Sequence, residues 1–279
     1  MACRWLKGYS KQNKQCQNRR GFSKVLQKAR KLAVDHCEEQ FRYDRWNCSY
    51  KKSMFQRVFR ETAFMYALSA SAVMFTTAQA CSEGVLQKCY CAEQARHQRK
   101  DNWQWGGCGD NTKKARKIAK RFLNLQYEDR ASDVLNHNTN VGFNAVKESE
   151  KKICVCHGVS GSCVLKTCWK EVRDFSNIAQ RLKQKYSNAT YVDIGNQVNS
   201  TRKIVNSPNE LLYLSYGPLF CDTTVGRRCK DAANCATLCC GRGPITQTVL
   251  VTKRCRYRWD ERHYNVTFSY CQENEEHYY

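Results

Sequence analysis

The stretch C-V-C-H-G-V-S-G-S-C-V-L-K-T-C-W, residues 154–169, gathers four cysteines, two glycines, two serines and a histidine. Three chemistries could use such a set: an activated serine, a metal held by thiolates and imidazole, or a cross-linked loop that displays one side chain. The serine reading fails on context. Residues 158–162 read G-V-S-G-S, so Ser162 stands where the G-x-S-x-G elbow needs its last glycine, and no strand pattern precedes it. None of the six histidines has a recognisable relation to Ser160. A metal on Cys154, Cys156, His157 and Cys163 is also disfavoured. Cys-any-Cys spacing is tight for two ligands of one tetrahedral ion, and an oxidising compartment would consume the thiolates. Neither a catalytic residue nor a metal centre is expected.

The structural reading is more economical. Nested pairing of Cys156 with Cys163 and of Cys154 with Cys168 closes a hairpin with two rungs. Under the chain-entropy model the larger ring, of about fifteen residues, constrains the unfolded chain by ~3 kcal/mol. Gly158 and Gly161 permit a tight reversal, which leaves the Ser160 hydroxyl at the apex. The residues describe either a display device or, more plainly, a well-braced turn.

The rest of the chain narrows the setting. Its 47 Lys plus Arg against 25 Asp plus Glu leave a formal net charge of +22, so a polyanion is the expected partner: nucleic acid, anionic lipid or sulfated glycan. Nineteen cysteines, without the paired C-x-x-C knuckles of zinc sites, favour an oxidising compartment over a reduced, nucleic-acid-binding protein. The odd number leaves at least one thiol free or paired outside the chain. N-x-S/T sequons at Asn47, Asn188, Asn199 and Asn265 agree with secretion, Cys48 making the first a poor acceptor. Met1 is followed by Ala2, Cys3, Arg4 and Trp5 with no apolar run, so a secreted protein would need a leader upstream of this sequence.

Helical periodicity marks the elements that must position the loop. Val25, Leu26, Ala29, Leu32, Ala33, Cys37 and Phe41 share one face, with Lys24, Lys28, Arg30 and Lys31 opposite. Residues 62–80, uncharged throughout but carrying several hydroxyls, are expected to form a buried central helix rather than a membrane span. Ala115, Ile118, Ala119, Phe122 and Leu123 mark a third helix, one of the most basic segments. Leu165, Cys168, Trp169, Val172, Phe175, Ile178, Ala179 and Leu182 suggest a fourth, running out of the quoted stretch, with Lys170, Arg173, Arg181 and Lys183 facing solvent. Residues 187–209 lose periodicity and read as a surface connector. From Cys221 on, seven cysteines and short β-prone runs replace the helical texture. The fold class expected is α+β: a mainly helical N-terminal domain (1–205) carrying the hairpin, followed by a small disulfide-rich β-hairpin C-terminal domain (206–279).

The quoted stretch resembles the signature of the Wnt family of secreted, lipid-modified signalling glycoproteins. The likeness continues through H-C-E-E-Q-F-R-Y-D-R-W-N-C-S (36–49), residues 60–84, W-Q-W-G-G-C-G-D-N (103–111) and C-A-T-L-C-C-G-R-G (235–243), and so covers essentially the whole chain. It implies a non-enzymatic ligand of the extracellular space and matrix, without a cofactor, in which Ser160 carries a covalent palmitoleate. A Porcupine-type acyltransferase would attach the lipid and a Wntless carrier would export the protein. His157, Gly158, Val159, Ser160, Gly161 and Ser162 would then meet the cysteine-rich domain of a Frizzled-type receptor, alongside a low-density-lipoprotein-receptor-related co-receptor. Heparan sulfate would bind Lys113, Lys114, Lys117 and Lys120, and Asn188, Asn199 and Asn265 would carry glycans. Disulfides carried over by position are Cys37 with Cys48, Cys81 with Cys89, Cys91 with Cys108, Cys154 with Cys168, Cys156 with Cys163, Cys221 with Cys240 and Cys229 with Cys235. Cys3 with Cys16 is a further pair, and one of Cys239, Cys255 and Cys271 is left unpaired.

The likeness breaks in the C-terminal finger, where the resemblance places further receptor contact at Trp259 and Val266. About five of the family's finger cysteines are missing there, Trp259 runs into Asp260, Glu261, Arg262 and His263, and the closing Cys-Lys is absent. Desolvating such a tip costs more than an apolar contact returns. A Wnt-derived antagonist or matrix protein is therefore the alternative to a signalling ligand.

Overall fold

The computed structural model describes residues 3, 6, 9–49, 57–92, 104–124, 129–192, 209–243, 245–261 and 263–279. The fold is α+β and divides into two compact units: residues 1–40 with 50–217, and residues 41–49 with 218–279. The change of sequence texture suggests a division at 205/206. The contacts divide at 217/218 because a strand that follows residue 206, β5 (Leu212–Tyr213), pairs in parallel with β4 (Thr190–Tyr191) and packs on helices of the first unit.

In the first unit, α3 (Arg60–Ser82) is buried on nearly every face. It is surrounded by α2 (Phe22–Gln40), α4 (Thr112–Leu123), α5 (Arg130–Glu148) and α6 (Phe175–Ser187). Two of its buried hydroxyls are satisfied within the helix: Ser71 donates to the Leu68 carbonyl at 2.7 Å and Thr76 to that of Ala72 at 2.8 Å. Among the described residues no helix is long and apolar enough to cross a membrane. Gly142 of α5 lies so close to α3 that an added Cβ would stand 2.1 Å from the Ala67 carbonyl oxygen. The short α1 (Ser10–Gln17) is stapled by Cys3–Cys16 and lies against α2 and α4.

Helix starts follow the expected capping chemistry. The side chains of Asn111, Asp129 and Asp174 accept from Lys114 N–H, Ser132 N–H and Ser176 N–H at the starts of α4, α5 and α6. Helix α5 has no counterpart in the periodicity reading, because Asn136, His137, Asn138 and Asn140 interrupt its apolar pattern. Asn138 is nevertheless fully buried, since its amide group bonds both the N–H and the carbonyl of Leu212 at 2.9 Å.

The fourth expected helix is corrected at its start. Lys166–Glu171 is a strand, β3, and α6 begins only at Phe175. Spacings of three and four residues among Leu165, Cys168, Trp169 and Val172 imitate a helical face, but pairing on both edges holds this segment extended. Lys183, expected in solvent, is half-buried, with its Nζ 4.8 Å from the centre of the Tyr186 ring.

The second unit contains α7 (Ala232–Leu238) and a long antiparallel hairpin of β6 (Thr246–Asp260) and β7 (Asn265–Tyr278). Residues 41–49 join it because Arg227 donates to the Arg45 and Arg42 carbonyls at 2.9 Å and Asn234 to that of Tyr43 at 3.0 Å. Cys221–Cys240 and Cys229–Cys235 brace α7, and Cys255–Cys271 crosses the hairpin. Cys239 is the free, buried thiol, which resolves the three cysteines left open above.

Candidate functional site

The loop at residues 154–168 is a two-stranded hairpin of β2 (Lys151–Cys156) and β3, with Cys154 opposite Cys168 and Cys156 opposite Lys166. Disulfides Cys154–Cys168 and Cys156–Cys163 close it at Cα–Cα distances of 4.1 and 4.6 Å. The outer rung joins directly paired residues and the inner one ties the strand end to the loop. His157 N–H donates to the Leu165 carbonyl at 2.7 Å, and Gly158 N–H to that of Ser162 at 2.9 Å. Between them Val159–Gly161 form one 3-10 turn.

Ser160 sits at the apex of that turn, exposed, with φ 55° and ψ 28°. A left-handed conformation costs a non-glycine residue roughly 1–2 kcal/mol, and here the flanking bridges and turn bonds hold it. Gly161 follows with φ 77° and carries the reversal. Around the serine the surface is apolar: Val159 and Val164 are 90% and 84% exposed, and Val155 and Leu165 are exposed as well. Val159 belongs to the expected contact set, whereas Val155, Val164 and Leu165 lie outside it. The signal of these three is modest: Val155 stands between Cys154 and Cys156, and Val164 and Leu165 follow Cys163, in a loop that has no core to face. An exposed hydroxyl in an apolar, rigid tip suits acylation and insertion into an apolar groove.

The hairpin is rooted in the body by β1 (Gln104–Trp105), which pairs in parallel with β3 and makes β3 the central strand of three. Gly106 N–H donates to the Cys168 carbonyl at 3.1 Å and Asp110 N–H to that of Lys170 at 2.9 Å. The glycine-rich run exists for this approach. A Cβ on Gly109 would stand 2.8 Å from the Lys170 carbonyl oxygen, and one on Gly107 would stand 3.1 Å from the Trp169 ring. Asp110, a buried carboxylate that residue types alone do not single out, clamps the base: it accepts from the Ser82 hydroxyl at 2.7 Å and from Val172 N–H at 2.9 Å. Cys91–Cys108 and Cys81–Cys89 brace the same region.

The remaining expected positions are dispersed. Lys113, Lys114, Lys117 and Lys120 are exposed on α4, and Asn188 and Asn265 are exposed, whereas Asn199 lies outside the described residues. Cys37 and Cys48 are both disulfide-bonded. Trp259 and Val266 face each other across β6 and β7 in the second unit, both exposed. The adjoining tip is polar, with the His263 ring 2.8 Å from the Asp260 carboxylate. Cys229, Cys235 and Cys239 bring three sulfurs within 4.8 Å of one another, but two of them are joined in a disulfide, so the trio offers one thiol and not a thiolate cage.

The family model described as the Wnt family matches residues 5–279. Wnt-4 of Drosophila melanogaster is 40% identical over 300 residues, covering 99% of this chain and 55% of that protein. Wnt-9a of Gallus gallus is 37% identical, covering 92% of this chain and 80% of its own length. This chain thus spans about half of the first relative's length and about four-fifths of the second's. Among solved structures, a chain of human WLS in complex with WNT8A matches with a TM-score of 0.66 at 27% identity, over 92% of this chain and 93% of that one. The Drosophila WntD N-terminal domain-linker shares the fold, with a TM-score of 0.54 at 22% identity over 72% of this chain and 98% of that one. Matched almost end to end by the family model, and 40% identical to a relative over 99% of its length, the chain is a member of the Wnt family.

Proposed function

We propose that this chain is a secreted Wnt-type ligand, esterified with palmitoleate on Ser160 Oγ, that presents the acyl chain to the cysteine-rich domain of a Frizzled-type receptor and so activates Wnt signalling. The observation that carries the reading is the Ser160 hydroxyl, exposed in a strained left-handed turn at the apex of a twice-bridged hairpin. Its apolar flanks would border the groove that receives the lipid. Burying an acyl chain of about sixteen carbons at ~0.8 kcal/mol per methylene contributes on the order of ten kcal/mol before ordering costs. A single chain holds a protein to a bilayer only marginally, which suits transfer from a carrier to a receptor. The likeness to WNT8A in complex with WLS supports a Wntless-type carrier, with a Porcupine-type enzyme as the acyl donor's catalyst. The co-receptor would be of the low-density-lipoprotein-receptor-related class. Weak, salt-sensitive attachment of the α4 lysines to heparan sulfate would keep the protein near cells.

Intact-mass and peptide analysis of protein secreted by animal cells tests the reading, together with capture on a Frizzled cysteine-rich domain. The wild type should carry the ester and bind. Ser160→Ala should be folded, unmodified and at least a hundredfold weaker, and an unmodified wild type that still binds would overturn the lipid mechanism. The polar tip of β6–β7 favours one other reading, a ligand that occupies the receptor without signalling. Receptor capture without reporter activation would select it.

A further inference from the structure

We infer that the cleft between α1 and α4 is a binding site for a compact polyanion, one whose sulfate or phosphate groups are clustered rather than strung along a chain. The inference deepens the glycan reading above and rests on it only for the sulfated source.

The cleft has a volume of about 450 Å³, within the range of sites for small ligands. Lys11 and Lys14 of α1 with Arg19 just after it line one side, Lys114, Lys117 and Arg121 of α4 line the other, and Lys88 also lines the cleft. Among the described residues no carboxylate lines it. Phe22 and Ile118 supply an apolar floor, and Gln15 ties the walls together by donating from Nε2 to the Arg121 carbonyl at 3.2 Å. The edge-to-face contact of Phe22 with Phe122, at 5.4 Å between ring centres, sets the spacing below.

Neither α1 nor α4 contains an acidic residue that could neutralise these cations. Arg19 shows the consequence: burial, and then the charge of Arg121, hold its pKa below the ordinary arginine value. Seven like charges around a concave, partly desolvated space repel one another, and a multivalent anion placed between the walls would convert that repulsion into attraction on both sides at once. A convex ridge meets a polyanion along one side only. Of the lysines expected to bind glycan, Lys114 and Lys117 line the cleft whereas Lys113 and Lys120 do not.

Thermal shift and titration calorimetry on the full chain provide the test, at fixed ionic strength, with sucrose octasulfate, a heparin hexasaccharide, inositol hexakisphosphate and sodium sulfate. At least one of the first three should raise the melting midpoint by several degrees while sodium sulfate does not. Arg19→Gln/Arg121→Gln should weaken that binding tenfold or more, with an unliganded midpoint no lower than the wild type's because a repulsion is removed. Lys113→Gln/Lys120→Gln removes equal charge and should change affinity less than threefold. Binding of the sulfated probes assigns a glycan source, whereas binding of inositol hexakisphosphate alone assigns a phosphate source and leaves the cleft standing without the glycan reading. Equal losses in the two variants, or no midpoint shift with any of the first three probes, would overturn the cleft.

Discussion

The Gly158 amide donates to the Ser162 carbonyl at 2.9 Å, and a methyl group built on Gly158 would stand 2.0 Å from the Ser162 hydroxyl oxygen. The neck of the displayed turn is therefore closed by a contact that only glycine permits. Because φ at Gly158 is an ordinary −70°, the constraint is steric rather than conformational. Gly158→Ala should force the neck apart at a local cost of about 1–3 kcal/mol, the range for overpacking. Faster hydrogen exchange at Gly158 and Ser162, and acyl occupancy of Ser160 several-fold below wild type, are the expected outcomes. Wild-type exchange at both amides would show that the turn does not depend on this contact.

Asp110 uses both carboxylate oxygens at the hairpin base, one for Ser82 and one for Val172. Asp110→Asn keeps one acceptor for Val172 N–H but loses both charge-assisted bonds, and the Ser82 hydroxyl must accept from the new N–H₂ and turn its proton to the Gln79 carbonyl. The loss should be about 1.5–3 kcal/mol, the range for hydrogen bonds to a charged group, and the midpoint should fall by several degrees. Ser82→Ala should cost less, about 1 kcal/mol. Calorimetry on the two variants checks the order, and equal midpoints for wild type and Asp110→Asn would remove the clamp from the account.

Burial lowers the Lys183 pKa to about 8 from an ordinary 10.5. The folded protein then binds fewer protons at this site than the unfolded chain between pH 8 and 10.5, so stability rises with pH through that window. The cost of the buried ammonium is complete below about pH 8. Lys183→Met should raise the midpoint at pH 7 by an amount equivalent to ~1 kcal/mol, allowing for solvent screening and for the lost cation–π contact with Tyr186. Paired melts at pH 7 and pH 10 should show that advantage shrinking at the higher pH. A constant advantage would assign it to packing instead.

Cys239 Sγ lies 4.0 Å from Cys229 Sγ, whose disulfide runs to Cys235, and contacts the Tyr279 carbonyl at 3.6 Å. Once local opening exposes the thiol at alkaline pH, its thiolate should attack that disulfide, form a Cys239–Cys229 or Cys239–Cys235 bond and release the other cysteine as a thiolate. Non-reducing peptide mapping after brief incubation at pH 9 should find these isomers in the wild type. Cys239→Ser should retain Cys229–Cys235 alone, and scrambling in that variant would place the reactive thiol elsewhere.

Local pattern made much of this legible. The faces of α2 and α4, the buried character of α3 and the nested cysteines of the hairpin all follow from spacing, because an apolar stripe or a pair of sulfurs at fixed separation has few ways to be satisfied. Pattern misled where pairing partners lie far along the chain. Lys166–Glu171 reads as helix until β1 and β2 claim its two edges, and α5 is invisible because Asn138 is made compatible with burial only by Leu212, 74 residues away.

The same division holds at the site. Residue types alone determined that Ser160 stands between glycines inside two potential disulfide rings, and that the chain is strongly cationic. Tertiary structure decided that the serine is left-handed and exposed, that Asp110 clamps the hairpin base, and that cations from α1 and α4 line one concave cleft. The physical reason is that hydrogen-bond partners, solvent exposure and charge repulsion depend on distances between segments, which the order of residues constrains but does not state.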